Sequence, residues 1–273
     1  MTSVVEYFAE KADRYDDTDK QAYWVFSDQL LWTILKERFF LVSRDTPFTF
    51  LDAGGGTGRW ALRILKEYPY SRCLIVDISR DMLAVAKEKF AHHGCLDRVE
   101  IIHDDLCTMD CRREERFDFA ICFHNVIGFV SSPEKALVGI QSLLRQGGKC
   151  ALMAPSYYHA LYFSNANNRP KELARIARER SVCYNDKMPP LRVFEIDEMK
   201  QLFNGIGLRS LECYGFPVTL YPGMDETFIE GQTKALSHLL SNAQESLFDI
   251  ERRLCLDPKM APRGNNILFL SEK

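Results

Sequence analysis

Between Phe48 and Ala154 the chain alternates short, continuously apolar runs with longer stretches whose apolar residues recur every three or four positions. The runs FTFLD, CLIVD, RVEIIH, FDFAICF and KCALMA are too short for amphipathic helices. Near-continuous apolar runs of that length belong to strands covered on both faces, as in a parallel sheet. The stretches between them read as helices. Over 59–68, Trp60, Ala61, Ile64, Leu65 and Tyr68 share a face, and over 80–90 Met82, Leu83, Val85, Ala86 and Phe90 do the same. Ser79 is placed to cap the second of these, while Ser132 and Pro133 open a third that the glycines of RQGG close. The repeated strand-helix-strand order predicts a doubly wound α/β sheet.

Three regions lie outside this alternation. Residues 1–44 read as an N-terminal helical lid, with QAYWVFSDQLLWTILKERFFLV apolar on one side and ending before Pro47. The core occupies 45–154 and resumes over 195–273 with the helix EIDEMKQLFNGIG, the strand LRSLECYGF, a helix around 225–255 and a last strand NILFLS. Residues 155–194 interrupt it with aromatics, asparagines and the basic helix RPKELARIARER. An insertion after the fifth strand falls at the carboxyl edge of the sheet, where ligands bind in such folds, so this segment is expected to be a lid or substrate element.

Composition narrows the class without choosing a partner. The 273 residues are 46% hydrophobic and 27% charged, which fits an ordinary globular protein. A formal charge of −3 gives no general pull toward nucleic acid or an anionic membrane. No apolar run approaches the roughly 20 residues that span a bilayer, and MTSVVEYFAEKADRYDD is too acidic for a signal peptide, so a cytoplasmic protein is expected. The nine cysteines are scattered, with no C-x-x-C pair, and Cys107 and Cys111 have no partner at zinc-finger spacing. Reduced thiols and no metal are the expectation.

The chemistry concentrates in FLDAGGGTGRW, residues 50–60. Glycines after a strand admit close approach of a ligand, and the following helix offers free N–H groups. Gly56-x-Gly58-x-x-Ala61 satisfies even the loose dinucleotide pattern, with Asp77 about 20 residues on as a ribose-binding acid. Asp52 separates the candidates. Two like charges about 4 Å apart near a surface repel by roughly 4 kcal/mol, so a carboxylate here opposes a pyrophosphate and suits an ammonium. Three acids at successive strand ends, Asp52, Asp77 and Asp105, match the three donors of S-adenosylmethionine: ammonium or its water shell, ribose hydroxyls and the adenine amino group.

With LDAGGGTGRWA, IVDISRDMLAVAKEK, VEIIHDDL, FDFAICFHNVIGFV and LLRQGGKCALMAPS in view, the chain resembles class I S-adenosylmethionine-dependent methyltransferases, and small-molecule, natural-product members in particular. The resemblance implies a seven-stranded sheet of order 3-2-1-4-5-7-6 with strand 7 antiparallel. It further implies that Asp52 and Gly54, Gly56 and Gly58 contact the methionine portion, Asp77 the ribose, Ile78 and Met82 the adenine surroundings, and Asp105 with Leu106 the adenine edge. Asp104 stands where the family often has glycine, leaving Asp104 and Asp105 as alternatives, with Asp105 favoured by its distance from the strand. Phe123 and His124 would face the sulfonium.

Several residues keep two readings. Tyr7 and Tyr15, eight apart, either pack or form an aromatic cover over the sulfonium, Tyr15 being the cofactor candidate. Arg59 binds the cofactor carboxylate, meets the lid or is solvated. His124, in CFHN, is the first candidate for a general base and His159, in PSYYHALYF, the second. The basic helix is a solvated face, a clamp for an anionic substrate or an RNA contact. The expected activity is methyl transfer to a small aromatic or amino-acid-derived acceptor at oxygen, nitrogen or carbon. The rivals are a tRNA or protein methyltransferase, an NAD(P)-dependent oxidoreductase and a non-catalytic cofactor-binding protein. The apolar N-terminal helices offer a surface for a homodimer.

Overall fold

The computed structural model describes residues 3–109, 115–220 and 247–273. Seven strands form one sheet: β1 (Thr49–Ala53), β2 (Arg72–Asp77), β3 (Val99–His103), β4 (Phe117–Cys122), β5 (Leu144–Pro155), β8 (Arg209–Phe216) and β9 (Asn266–Glu272). Their order is β3-β2-β1-β4-β5-β9-β8, with β1 to β5 parallel and β9 antiparallel to both its neighbours. Two further strands, β6 (Ser181–Val182) and β7 (Leu191–Arg192), pair only with each other. With that hairpin set aside, the order is the 3-2-1-4-5-7-6 that the motifs imply.

Side chains alternate across a strand, so each strand feeds two layers. Phe50, Ile75, Ile121 and Met153 pack on one face beneath α2 (Ala22–Arg38), α3 (Arg59–Glu67) and α4 (Arg80–His92). Leu51, Leu74, Ala120 and Leu152 pack on the other beneath α6 (Pro133–Leu143) and α9 (Ile196–Gly205). A fully buried leucine or phenylalanine is worth roughly 1.5–3 kcal/mol, which is why both faces carry continuous apolar runs. Asp52 shares the parity of Phe50 and is thereby driven into the first layer. Ser79 and Ser132 cap α4 and α6, accepting the N–H groups of Met82 and Lys135 at 3.4 Å.

The N-terminal region divides in two. Tyr23, Phe26, Leu30, Leu31, Ile34 and Leu35 of α2 are buried in the sheet's own core, so the apolar residues that suggested a dimer surface are consumed within the chain. Before it come α1 (Val4–Ala9), with a Ser3–Glu6 capping box, and a 3-10 stretch over Ala12–Lys20. That stretch, ADRYDDTDK, is mostly polar, its apolar contacts confined to buried Ala12 and to Tyr15, whose ring meets Phe8.

The insertion folds as α7 (Tyr157–Ala166), α8 (Pro170–Glu179) and the β6-β7 hairpin around Ala160, Ile176, Val182, Leu191 and Val193. Its arginines mostly hold it together. Arg169 donates to the Tyr184 carbonyl at 2.9 Å, and Arg175 donates to Cys183 Sγ at 3.0 Å. Arg180 pairs with Glu195 at 2.6 Å over the Tyr157 ring. Only Lys171 and Arg178 of the five expected cations are both exposed and without such a contact among the described residues. Of the helix expected around 225–255, residues 247–255 are helical and the remainder lies outside the described residues, as does Cys111. The eight described cysteines are free thiols.

Candidate active site

The loop from β1 to α3 takes positive φ at Gly54, Gly56 and Gly58, namely 74°, 54° and 72°. Their roles differ. A Cβ on Gly58 would lie 2.5 Å from Phe90 Cζ, whereas one on Gly56 would meet nothing closer than Asp77 Oδ2 and Met82 Sδ at 4.0 Å. Gly58 lets α3 pack against α4 and does not line the cavity, a correction to its expected ligand contact; Gly56 opens onto it. That cavity, of about 260 Å³, lies at the carboxyl ends of β1 to β4.

Tyr15, Asp52, Gly54, Gly56, Asp77, Ile78, Met82, Asp105, Leu106, Phe123 and His124 all border it, from stretches far apart in the chain. Asp52 is 3% exposed, and its Oδ2 has no hydrogen-bond partner among the described residues. Burial raises its carboxyl from 3.8 to about 7, the Asp77 charge adding to the effect, while the Ala61 N–H offsets only part. Asp77 accepts the N–H groups of Gly56 at 2.9 Å and Ser79 at 2.8 Å, one on each oxygen, and burial still raises its pKa. Asp104 and Asp105 both border the cavity. Asp104 Oδ1 accepts the Asp105 N–H and Asp105 Oδ1 the Cys107 N–H, each at 2.8 Å, so both carboxylates shape the turn and each keeps its second oxygen.

The cavity's cover draws on the N-terminal region, with Tyr15 as expected and with Phe8 and Phe129, which the sequence reading did not single out. Phe8 of α1 stands edge-on to Phe129, at 5.3 Å between centroids, and to Tyr15, at 6.4 Å, and all three rings face the cavity. Tyr7 instead turns away, buried with Lys11 over its ring at 3.9 Å. The polar 3-10 stretch is pinned to the glycine loop by charge. Asp16 accepts from Thr57 Oγ1 at 2.7 Å and pairs with Lys89 at 2.5 Å, and Lys89 also donates to the Thr57 carbonyl at 2.8 Å. Arg59 bridges Asp19 and the buried Asp28, which makes it a contact of the N-terminal cover. No residue of the 155–194 insertion lines the cavity; Phe129 of the cavity wall packs on the insertion's core.

His124 and Asn125 follow β4 with φ of 52° and 67°, a conformation that aims both side chains away from a regular strand path. Trp60 Nε1–H donates to His124 Nε2 at 2.6 Å, and Phe123 meets the Trp60 ring edge-on at 5.1 Å. Burial lowers the His124 pKa, against an opposing pull from Asp28, whose Oδ1 is 3.6 Å from Nε2. An indole N–H can only donate, so Nε2 must present its lone pair to Trp60. The neutral ring then carries its proton on Nδ1, and the general-base expectation for His124 is corrected accordingly. His159 is also displaced from the role expected of it: it is buried in α7 beside Phe163, away from the cavity, and burial lowers its pKa to about 4.

Residues 50–148 match the family model described as a methyltransferase domain. Taken with this match, the sheet order and the row of strand-end acids resemble those of class I S-adenosylmethionine-dependent methyltransferases. It is 32% identical over 131 residues to the tRNA 5-carboxymethoxyuridine methyltransferase of Escherichia coli K12, a match covering 48% of each chain, so it spans about half the length of that relative. It is 26% identical over 184 residues to carboxy-S-adenosyl-L-methionine synthase 1 of Yersinia pseudotuberculosis, covering 61% of this chain and 73% of that one. A solved SAM-dependent methyltransferase from Thermotoga maritima superposes with a TM-score of 0.60 at 16% identity, over 98% of this chain and 99% of the other. That likeness concerns the fold.

Proposed function

We propose that the protein transfers the methyl group of S-adenosylmethionine to a small-molecule acceptor. The observation that carries the cofactor half of this reading is Asp52: a buried carboxylate with an unpartnered oxygen, beside a glycine loop open enough for a ligand. A cationic amino group satisfies that oxygen, whereas the pyrophosphate of a nicotinamide cofactor would add a second negative charge beside it. When bound, S-adenosylmethionine supplies an already activated methyl group on a sulfonium. Asp77 accepts from the ribose diol, its two oxygens pre-aimed by Gly56 and Ser79. The free oxygen of Asp105, with Leu106 against the ring, accepts from the adenine amino group. Tyr15, Trp60 and Phe123 exclude water around the cation and present aromatic surface to it.

The aromatic cover and a cavity of about 260 Å³ support an acceptor of metabolite size. No helix of the described residues is long and apolar enough to cross a membrane. Alignment in an enclosed site contributes roughly 7–11 kcal/mol in favourable reactions, enough for most of the catalysis of a displacement whose donor is already activated. The Escherichia coli relative favours a second reading, a tRNA acceptor. Incubating the protein with methyl-labelled cofactor and, separately, a small-metabolite extract and total tRNA tests both: label in the metabolites supports the proposal, and label only in tRNA replaces it.

A further inference from the structure

The bond between Trp60 and His124 bears on what kind of acceptor the site takes, and the inference rests on the methyl-transfer reading above. His124 is held as a hydrogen-bond donor: its Nε2 lone pair is occupied by the Trp60 indole N–H at 2.6 Å, which leaves Nδ1–H. No bond from Nδ1 to a described residue is present, and the ring borders the cavity. The charged groups facing it are Asp28 from α2, Arg59 from α3 and Asp19 from the 3-10 stretch, with Arg59 bridging the two carboxylates. Of the other polar side chains that border the cavity, Tyr15 is a phenol that burial pushes up to about 12, Arg59 is permanently charged, and Thr57 and Ser131 donate to Asp16 and Cys107. Asp52 is the group that suits the cofactor ammonium. With Arg59 held by Asp19 and Asp28, and with Asp52, Asp77 and Asp105 assigned to the cofactor, the His124 Nδ1–H is the donor that this wall of the cavity offers an acceptor.

An ammonium or phenol, with ordinary pKa values near 10, must lose a proton before its lone pair can attack, whereas a carboxylate, near 4, arrives ready. We propose that the acceptor is a carboxylate and that His124 holds it through Nδ1–H as a positioning donor, the product being a methyl ester. A carboxylate oxygen forms the new bond to the methyl carbon while the carbon–sulfur bond breaks and its electron pair stays on sulfur. The sulfonium becomes a neutral thioether, the carboxylate a neutral ester, and no proton changes hands. The donor's partner is strongest in the anion, which orients the attacking oxygen and selects against neutral alcohols.

Two measurements test this. Nitrogen-15 NMR of histidine-labelled protein, with the signal assigned by loss in His124→Asn, is expected to find His124 protonated at Nδ1 and bare at Nε2 near neutral pH; protonation at Nε2 overturns the proposal. Independently, label transferred from methyl-labelled S-adenosylmethionine into a mixed metabolite and tRNA extract is expected to be released as methanol by mild alkali. Alkali-stable label overturns the carboxylate assignment and leaves the methyltransferase reading standing, while no label in any fraction overturns both. His124→Asn keeps a side-chain N–H and the left-handed backbone and should retain most of the ester-forming kcat/KM. His124→Gly keeps the backbone alone and should lose roughly 10- to 100-fold, the usual scale for a bond to a charged group. Trp60→Phe frees Nε2 and should introduce, at saturating cofactor where the Asp52 titration no longer limits binding, a pH dependence that the parent lacks under the same condition. Equal loss in both His124 variants, or an unchanged pH profile in Trp60→Phe, would assign the pair a structural role.

Discussion

Replacing Asp52 with asparagine should make the ligand-free protein more stable and the cofactor site useless. The carboxyl is raised from 3.8 to about 7, chiefly by burial. An acid raised on folding burdens the folded state only where it would otherwise be ionised. The burden is absent below about pH 4, grows between pH 4 and 7, and above pH 7 reaches about 4 kcal/mol at 1.36 kcal/mol per pH unit. Asparagine keeps an acceptor for the Ala61 N–H and cannot ionise. Urea unfolding followed by tryptophan fluorescence should show Asp52→Asn level with the parent at pH 4 and more stable by up to about 4 kcal/mol at pH 8. Saturating S-adenosylhomocysteine should narrow the gap at pH 8, since ligand at 100 times its Kd adds about 2.7 kcal/mol to the parent and little to a variant that binds it poorly. Equal stability at pH 8, or an asparagine variant that binds the ligand as tightly as the parent, would refute the argument.

Gly58→Ala should destabilise the fold by roughly 1–3 kcal/mol in denaturant titrations, because its methyl meets Phe90 at 2.5 Å in a left-handed backbone. Gly56→Ala should unfold closer to the parent yet lose S-adenosylhomocysteine affinity, its methyl projecting into open cavity. Asp16→Ala removes the Thr57 and Lys89 contacts that hold the cover. In stopped-flow measurements it should release ligand several-fold faster, and the parent should drift toward that rate as salt screens the pair. His159, lowered to about 4, makes the fold lose stability as pH falls from 6.5, by up to roughly 3 kcal/mol at pH 4. His159→Leu should flatten that part of the stability curve.

The sheet was legible because each strand and helix leaves a local signature. FTFLD, CLIVD and FDFAICF are apolar at every position that two covering layers bury, and Ser79 and Ser132 mark helix starts by capping alone. The strand-end acids were legible for a related reason, since a charge at the end of a buried strand has few purposes other than a ligand. The cover was not. Asp16 finds Thr57 across 41 residues and Arg59 finds Asp28 across 31, and contacts of that range impose no period on the sequence. The stretch ADRYDDTDK read as part of a helical lid, but the partners of its acids were hidden because they are matched only in three dimensions. The same holds for His124: its position after β4 was readable, but the Trp60 N–H that fixes its tautomer comes from another helix, so the motif CFHN suggested a base where the geometry supplies a donor. The insertion, expected to be a lid or substrate segment, builds a small core of its own on which Phe129 of the cavity wall packs.

The central claim, that the strand-end acids and glycine loop hold S-adenosylmethionine, is tested most directly by calorimetric titration of the full chain with S-adenosylhomocysteine and, in parallel, with NADH. One molecule of S-adenosylhomocysteine per chain is predicted, with proton release at pH 6 as Asp52 ionises beside the ligand's ammonium and with binding abolished in Asp52→Ala. NADH binding without S-adenosylhomocysteine binding would contradict the account.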